Sequence, residues 1–279
     1  MDLIDTHAHL FWESYQNDLD QVIQRSLEAG ITEVINVGVD VNLSKVAANL
    51  TSDKIKFYST IGIHPHEAIK YLSDESIHID IAILEEIYRL NPQKVIAVGE
   101  CGLDYLFNKD YNGHNSYKDY REKQKKLFQA QIDLAKKLNL PLLVHCRDDR
   151  SRNPSSSEAW DENLEMIKNH YGILHCYSGL MATTKKAIDS NFLISFAGNI
   201  TYPKNEYLKE TVKMLPLEKI ALETDCPFLA PQSIRGQRNE PSSVKEVAQT
   251  VAEIKGISVE DVAEQTTKNV EKILRLRSG

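Results

Sequence analysis

The chain has 279 residues, 42% of them hydrophobic and 26% charged, with 33 basic against 40 acidic side chains and a formal net charge of −7. A chain of that size buries roughly three quarters of its unfolded surface, and this composition excludes intrinsic disorder and a disulfide-stapled miniprotein. The acidic balance also excludes long-range capture of a polyanion, so a nucleic-acid partner has to be held by local basic groups or bound cations.

Short apolar runs alternate along the chain with stretches of helical periodicity. Leu3 to Asp5 opens the series as a strand, followed by a helix from Asp18 to Ala29 that closes on Gly30. Strand Glu33 to Val37 leads to helix Leu43 to Leu50, and strand Phe57 to Ile63 leads to helix Ile79 to Leu90, which Pro92 stops. Strands Val95 to Gly99 and Pro141 to His145 flank a helix over Asp119 to Leu138. Strands Gly172 to His175, Phe192 to Phe196 and Lys219 to Glu223 follow, interleaved with helices Glu158 to Asn169, Thr183 to Ser190 and Glu206 to Leu215. Helices Ser242 to Lys255 and Ser258 to Leu274 close the chain.

The runs read as strands buried on both faces. Eight of them, joined by right-handed helical crossovers, specify a closed α/β (β/α)₈ TIM barrel, with residues 1–279 as a single domain. A doubly wound open sheet is the alternative, but no GxGxxG follows the first strand. No stretch approaches the ~20 apolar residues of a membrane span, and Asp2, Asp5, His7 and His9 stand where a signal-peptide core would be. A cytoplasmic protein with no membrane association is expected, and no obligate protein partner is evident. Cys101, Cys146, Cys176 and Cys226 form no CxxC pair, so reduced thiols are expected. Two long loops, Tyr105 to Lys118 and Asp148 to Ser157, follow strands at the end where a barrel carries its active site.

His7 and His9 form a His-Ala-His just after the first strand, and the two-residue period of an extended chain puts both rings on one face. Two rings so placed suit a shared metal, or they are solvated surface histidines. Glu100, His145, His175 and Asp225 stand at the ends of four other predicted strands. Burying such groups costs several kcal/mol unless a partner compensates, and the strand ends of a parallel barrel converge on one rim. A divalent cation is the simplest common partner.

Each of these four positions is followed at once by a cysteine, and alternation lets only one of the two sets face the lumen. The His-x-His extends the nitrogen and oxygen set, so the thiols are read as small hydrophobes under the helices. Six ligands exceed what one tetrahedral ion takes. Two divalent ions roughly 3.5–4 Å apart, bridged by Glu100, use the set economically. His7, His9 and Asp225 are assigned to one ion, His145 and His175 to the other. Magnesium, manganese or zinc fits these donors.

His64, in Gly62-Ile-His64-Pro65-His66, falls in the same register and is read as positioning substrate or water or supplying a proton, or else as an exposed turn histidine. Asp104 either orients a ligand histidine through its second nitrogen or caps its loop. Arg147, Arg235 and Arg238 are candidates for holding phosphate oxygens, with pairing to Glu240 or Asp148 as the alternative. Tyr105, Phe107, Tyr111 and Tyr117 either stack unpaired bases or pack their loop onto the rim.

The segments DTHAHL, GIHPH, AVGECGLDY, LPLLVHCRD, GILHCYSG, ETDCPFLAP and RGQRNEP resemble, in order and over nearly the whole chain, the TatD family of metal-dependent deoxyribonucleases, within the amidohydrolase-like barrels. The resemblance implies a one- or two-ion barrel that hydrolyses DNA phosphodiester bonds, often from the 3′ end. It carries the family ligands onto His7, His9, Glu100, His145, His175 and Asp225, and a catalytic histidine onto His64. On that basis single-stranded DNA is the expected substrate, cut in a 3′–5′ exonuclease reaction by a water or hydroxide between the ions, with Asp225 as general base and Glu100 and His64 as further catalytic groups. The two long loops depart from the family pattern and bear on how nucleic acid fits. A barrel hydrolase of an amide, lactone or phosphotriester is the rival enzyme reading. A non-catalytic metal- or nucleic-acid-binding protein is the rival from another class.

Overall fold

Eight strands form one parallel sheet in which each pairs with the next along the chain. They are β1 (Leu3–Ala8), β2 (Ile31–Asn36), β3 (Lys56–Ile61), β4 (Val95–Asp104), β5 (Leu142–Arg147), β6 (Gly172–Leu174), β7 (Phe192–Phe196) and β8 (Ile220–Leu222) in a computed structural model that describes residues 2–106 and 116–276. The helices among these residues are α1 (Leu19–Glu28), α2 (Val41–Asn49), α3 (Asp74–Leu90), α4 (Tyr117–Leu138), α5 (Glu158–Met166), α6 (Met181–Ile188), α7 (Glu206–Met214), α8 (Val244–Lys255) and α9 (Val259–Leu274). The sheet curls into a (β/α)₈ TIM barrel, as the alternation in the sequence requires. No helix among the described residues is long and apolar enough to cross a membrane.

Among the elements whose bounds differ from the sequence expectation, two show the local reason plainly. Helix α3 starts at Asp74, not Ile79, because the Ser73 hydroxyl caps the Ser76 amide and acidic Asp74 and Glu75 occupy the first turn. Strand β4 runs on to Asp104, five residues past Gly99, because Gly102, Leu103 and Asp104 pair with His145, Cys146 and Arg147 of β5. Gly102 permits this: at φ 141° a Cβ there would lie 2.0 Å from the His145 carbonyl oxygen.

Alternation sorts the strand side chains into two apolar clusters. Leu3, Val34, Val98, Leu142 and Ile194 pack outward against Val22, Leu84, Phe128, Trp160 and Val247 of the surrounding helices. Ile4, Ile35, Tyr58, Leu143, Ile173 and Leu193 belong to a second cluster that Val270 and Leu274 of α9 complete. The polar strand ends are thus left for the opposite rim.

The barrel closes between β8 and β1 with little ladder. The Asp225 amide donates to the His7 carbonyl at 2.8 Å and the His9 amide to the Cys226 carbonyl at 2.9 Å. Beneath them the buried Asp5 carboxyl accepts from the Thr224 amide at 2.9 Å and the Thr224 hydroxyl at 2.6 Å. Residues that close the barrel are therefore the residues that flank or form its polar mouth.

Candidate metal centre

Glu100 stands at the middle of the mouth and divides its two oxygens. Its Oε2 lies 3.4 Å from His7 Nε2 on β1, while its Oε1 lies 2.9 Å from His145 Nδ1 on β5 and 3.6 Å from His175 Nε2 after β6. On the seam side, His7 Nε2 and His9 Nε2 approach to 3.2 Å, and Asp225 Oδ1 lies 3.7 Å and 3.5 Å from them. Two nitrogens about 2.0–2.1 Å from one ion stand roughly 3–3.5 Å apart, so the pair has the separation that a common cation requires.

The far nitrogens of these rings fix which atom faces the cavity. His9 Nδ1 lies 2.9 Å from the Val37 carbonyl, which only accepts, so Nδ1 carries the proton and the Nε2 lone pair faces His7. His145 Nε2 lies 3.1 Å from Asp104 Oδ2, leaving Nδ1 toward Glu100. His175 Nδ1 is 2.8 Å from Glu223 Oε1, near enough for an ion pair though off the line of a hydrogen bond. His7 Nδ1 is buried without a hydrogen-bond partner among the described residues. Three histidines backed by acceptors, with their other nitrogens converging on carboxylates, form a donor set that fits divalent cations.

His64 is oriented the other way. The His66 amide donates to its Nδ1 at 3.2 Å, so in the neutral ring Nε2 carries the proton, 3.5 Å from Glu100 Oε1. His64 therefore faces the cavity as a hydrogen-bond donor.

Burial opposes charge on Glu100, but His64, His7 and His145 outweigh it and hold the carboxyl well below its usual range. Asp104 is likewise held well below despite burial, by hydrogen bonds from His145 and His66, and Asp225 is held low by His9 and its neighbours. Burial lowers His7 and takes His64 well below its ordinary value. Burial acts against the charge on His145 and His175 too, yet Asp104 and Glu100 raise the first, and Glu223 raises the second to about 10. With His175 raised to about 10, its ligation to a cation has to displace a proton.

The mouth is a cleft of about 630 Å³ whose lining includes His9, His64, Glu100, His145, His175 and Asp225. Arg147 also lines it, with Nε and Nη2 on the two oxygens of Asp104 at 3.0 and 2.7 Å. The other two arginines read as phosphate holders stand outside that lining. Arg238 is committed to Asp18 at 2.6 Å and Glu240 at 2.9 Å, the paired alternative, and Arg235 stacks 4.3 Å over the Tyr202 ring.

Tyr105 takes the packing alternative: it is 1% exposed, donates its hydroxyl to Glu162 at 2.8 Å and lies under the Arg121 guanidinium. Tyr117 lies beneath Arg121 and Arg152, while Phe107 and Tyr111 fall outside the described residues. Cys101, Cys146 and Cys226 are buried as expected. Cys176 is not, because strand β6 ends at Leu174 and a φ of 41° at Cys176 breaks the alternation, turning its sulfur to the cleft and the Asn199 amide at 3.5 Å.

Sequence reasoning passed over Glu223, whose signal was its place two residues before Asp225, on the same side of an extended chain. It also passed over His66, which lies 2.9 Å from Asp104 Oδ2. Asp104 itself joins His66, His145 and Arg147, which favours its orienting role over a loop cap, although it also accepts from the Leu106 amide.

Residues 4–275 match the family described as TatD related DNase. The chain is 37% identical over 274 residues to YabD of Bacillus subtilis, called an uncharacterized metal-dependent hydrolase, covering 98% of this chain and 99% of that one. It is 30% identical over 281 residues to a protein of Pantoea ananatis named 3'-5' ssDNA/RNA exonuclease TatD, covering 98% and 100%. The crystal structure of YJJV, a TatD homolog from Escherichia coli, superposes with a TM-score of 0.84 at 26% identity over 99% of this chain and 98% of that one.

Proposed function

The chain belongs to the TatD related DNase family of metal-dependent hydrolases, and from that premise we propose that it is a metal-dependent deoxyribonuclease that removes nucleotides from the 3′ end of single-stranded DNA. The observation that supports this reading best is the division of Glu100, one oxygen toward His7 and the other toward His145 and His175. That arrangement suits two divalent ions, magnesium, manganese or zinc, held by His7, His9 and Asp225 on one side and His145 and His175 on the other. A relative named for action on single-stranded DNA and RNA supports a nucleic-acid substrate.

Bound divalent cations supply charge neutralisation at the scissile phosphate and acidify the attacking water. The chain's own groups do the rest. Asp225, kept ionised by its histidine neighbours, would accept the proton of that water as its oxygen bonds to phosphorus and the bond to the 3′ oxygen of the preceding nucleotide breaks, that oxygen taking a proton from solvent water. His64 donates its Nε2–H to a phosphate oxygen, and Arg147, whose side chain is 42% exposed at the mouth, holds a second one while Asp104 fixes its guanidinium. An acidic chain needs no broad basic surface for this, because phosphate is met at the centre itself.

The test is a substrate panel of 5′-labelled single-stranded DNA, the matching RNA, duplex DNA, a cyclic amide and a phosphotriester, each with added Mg, Mn or Zn. Expected is stepwise shortening of single-stranded DNA from its 3′ end, lost in Asp225→Asn with the fold retained. Turnover of the amide or phosphotriester alone overturns the nuclease reading. RNA cleavage without DNA cleavage overturns the choice of DNA. Fully metal-loaded protein that turns over nothing establishes a binding protein instead.

A further inference from the structure

We propose that Trp12 and Phe228 form a base-stacking subsite at the mouth, taking the unpaired nucleobase next to the phosphate that the centre cuts. This deepens the nuclease reading and rests on it. Trp12 is 38% and Phe228 48% exposed, and they are the aromatic members of the exposed large hydrophobic side chains among the described residues. Others of that set, such as Val46 on α2 and Ile79 and Ile83 on α3, are scattered on outer helices, where single exposed apolar groups are ordinary. Trp12 and Phe228 instead line the same cleft as His9 and Asp225.

Their geometry is that of a corner. The two ring centroids are 5.6 Å apart with planes at 85°, and the His9 ring sits edge-on to both, at 6.1 Å from Trp12 and 6.4 Å from Phe228. A flat ring entering the corner stacks on one aromatic face and meets the other edge-on, both favourable arrangements. The corner is also held in place by the centre. The Trp12 amide donates to the His9 carbonyl at 3.1 Å and the Phe228 amide to the Asp225 carbonyl at 2.9 Å. Each aromatic is thus pinned three residues beyond a metal-ligating position, and Asn239 holds the Phe228 carbonyl at 2.7 Å. Such anchoring lowers the ordering cost of binding.

The chemistry selects a base over other groups. The corner presents aromatic faces, whereas Arg147, the arginine that lines the cleft, is held on the two oxygens of Asp104 on the β4–β5 side. A neutral, planar, aromatic ring suits the corner, and stacking accepts any base, since each has a π face. Its partner phosphate then lies toward His64 and Glu100, on the same cleft.

The test compares a single-stranded oligothymidylate with its dihydrothymidine counterpart, whose saturated rings keep their hydrogen-bonding groups but are not aromatic. For the unaltered enzyme, KM is expected to be about tenfold higher on the dihydrothymidine strand, within the range that base stacking supplies. Trp12→Ala combined with Phe228→Ala raises KM on oligothymidylate to the same value and abolishes the discrimination, with the loss in KM rather than kcat. Trp12→Phe restores most of it. Independently of turnover, oligothymidylate quenches the emission of Trp12 and dihydrothymidine does not; the buried Trp160 stays silent, and the quenching is absent from Trp12→Phe. Cleavage of both strands with equal KM, and no quenching by either, overturns the subsite while leaving the nuclease reading intact. Absence of cleavage and of binding for both strands overturns the nuclease reading and the subsite with it.

Discussion

The two halves of the barrel mouth back their histidines with different chemistry. On the seam side, where β8 meets β1, His9 leans on the Val37 carbonyl and His7 Nδ1 has no hydrogen-bond partner among the described residues. Across the mouth, His145 and His175 lean on the carboxylates of Asp104 and Glu223. A carboxylate behind an imidazole makes it a more basic donor than a carbonyl does. On the two-ion proposal, the seam half would hold the more readily exchanged ion and the β4–β6 half the more tightly held one, with Glu100 common to both.

The most damaging test of that division is Glu100→Gln, which removes the shared ligand. Cleavage is expected to fall by about 10⁴-fold, the upper end of what loss of one catalytic group costs, with bound metal lost from both halves. Kinetics together with metal analysis of the dialysed protein check it, and full retention of metal breaks the comparison. Asp104→Asn sharpens it: metal affinity should drop about 10–100-fold in the β4–β6 half alone, read by cobalt absorption titration as one weakened and one unchanged binding phase. Loss of the other phase instead would invert the assignment.

Stability separates the halves as well. Thr224→Val removes a hydroxyl that binds the buried Asp5 carboxyl at the seam, and should cost about 1–3 kcal/mol in denaturant unfolding. The smallest effect belongs to Asp148, after β5. Burial, with Oδ2 lacking a hydrogen-bond partner, raises its carboxyl to about 6. A carboxyl raised on folding contributes stability that is complete below the usual value near 4 and is lost as pH rises through 6. Asp148→Asn keeps an acceptor for the Ala159 amide, and should flatten the pH dependence of the unfolding midpoint in that window, by about 1–2 kcal/mol after solvent screening. A seam variant such as Thr224→Val should leave that slope unchanged.

The sequence reveals the half of this design that lies in strand periodicity. Glu100, His145, His175 and Asp225 stand out because each is a polar group at the end of an apolar run, and parallel topology brings such ends together. The backing groups are less visible. Val37 acts through its backbone carbonyl, which carries no side-chain signal, and Asp5 and Thr224 meet across 219 positions at the seam. Arg238 reads as a phosphate holder until the fold supplies Asp18, 220 positions away, as its partner. Trp12 and Phe228 are single aromatics in unrelated loops, and only the fold makes them neighbours.

Anomalous diffraction from crystals loaded with manganese or zinc tests the shared centre most directly. Two peaks roughly 3.5–4 Å apart are predicted, one contacting His7, His9 and Asp225, the other His145 and His175, with Glu100 between them. A lone peak bound without Glu100, or peaks lying away from these residues, would contradict it.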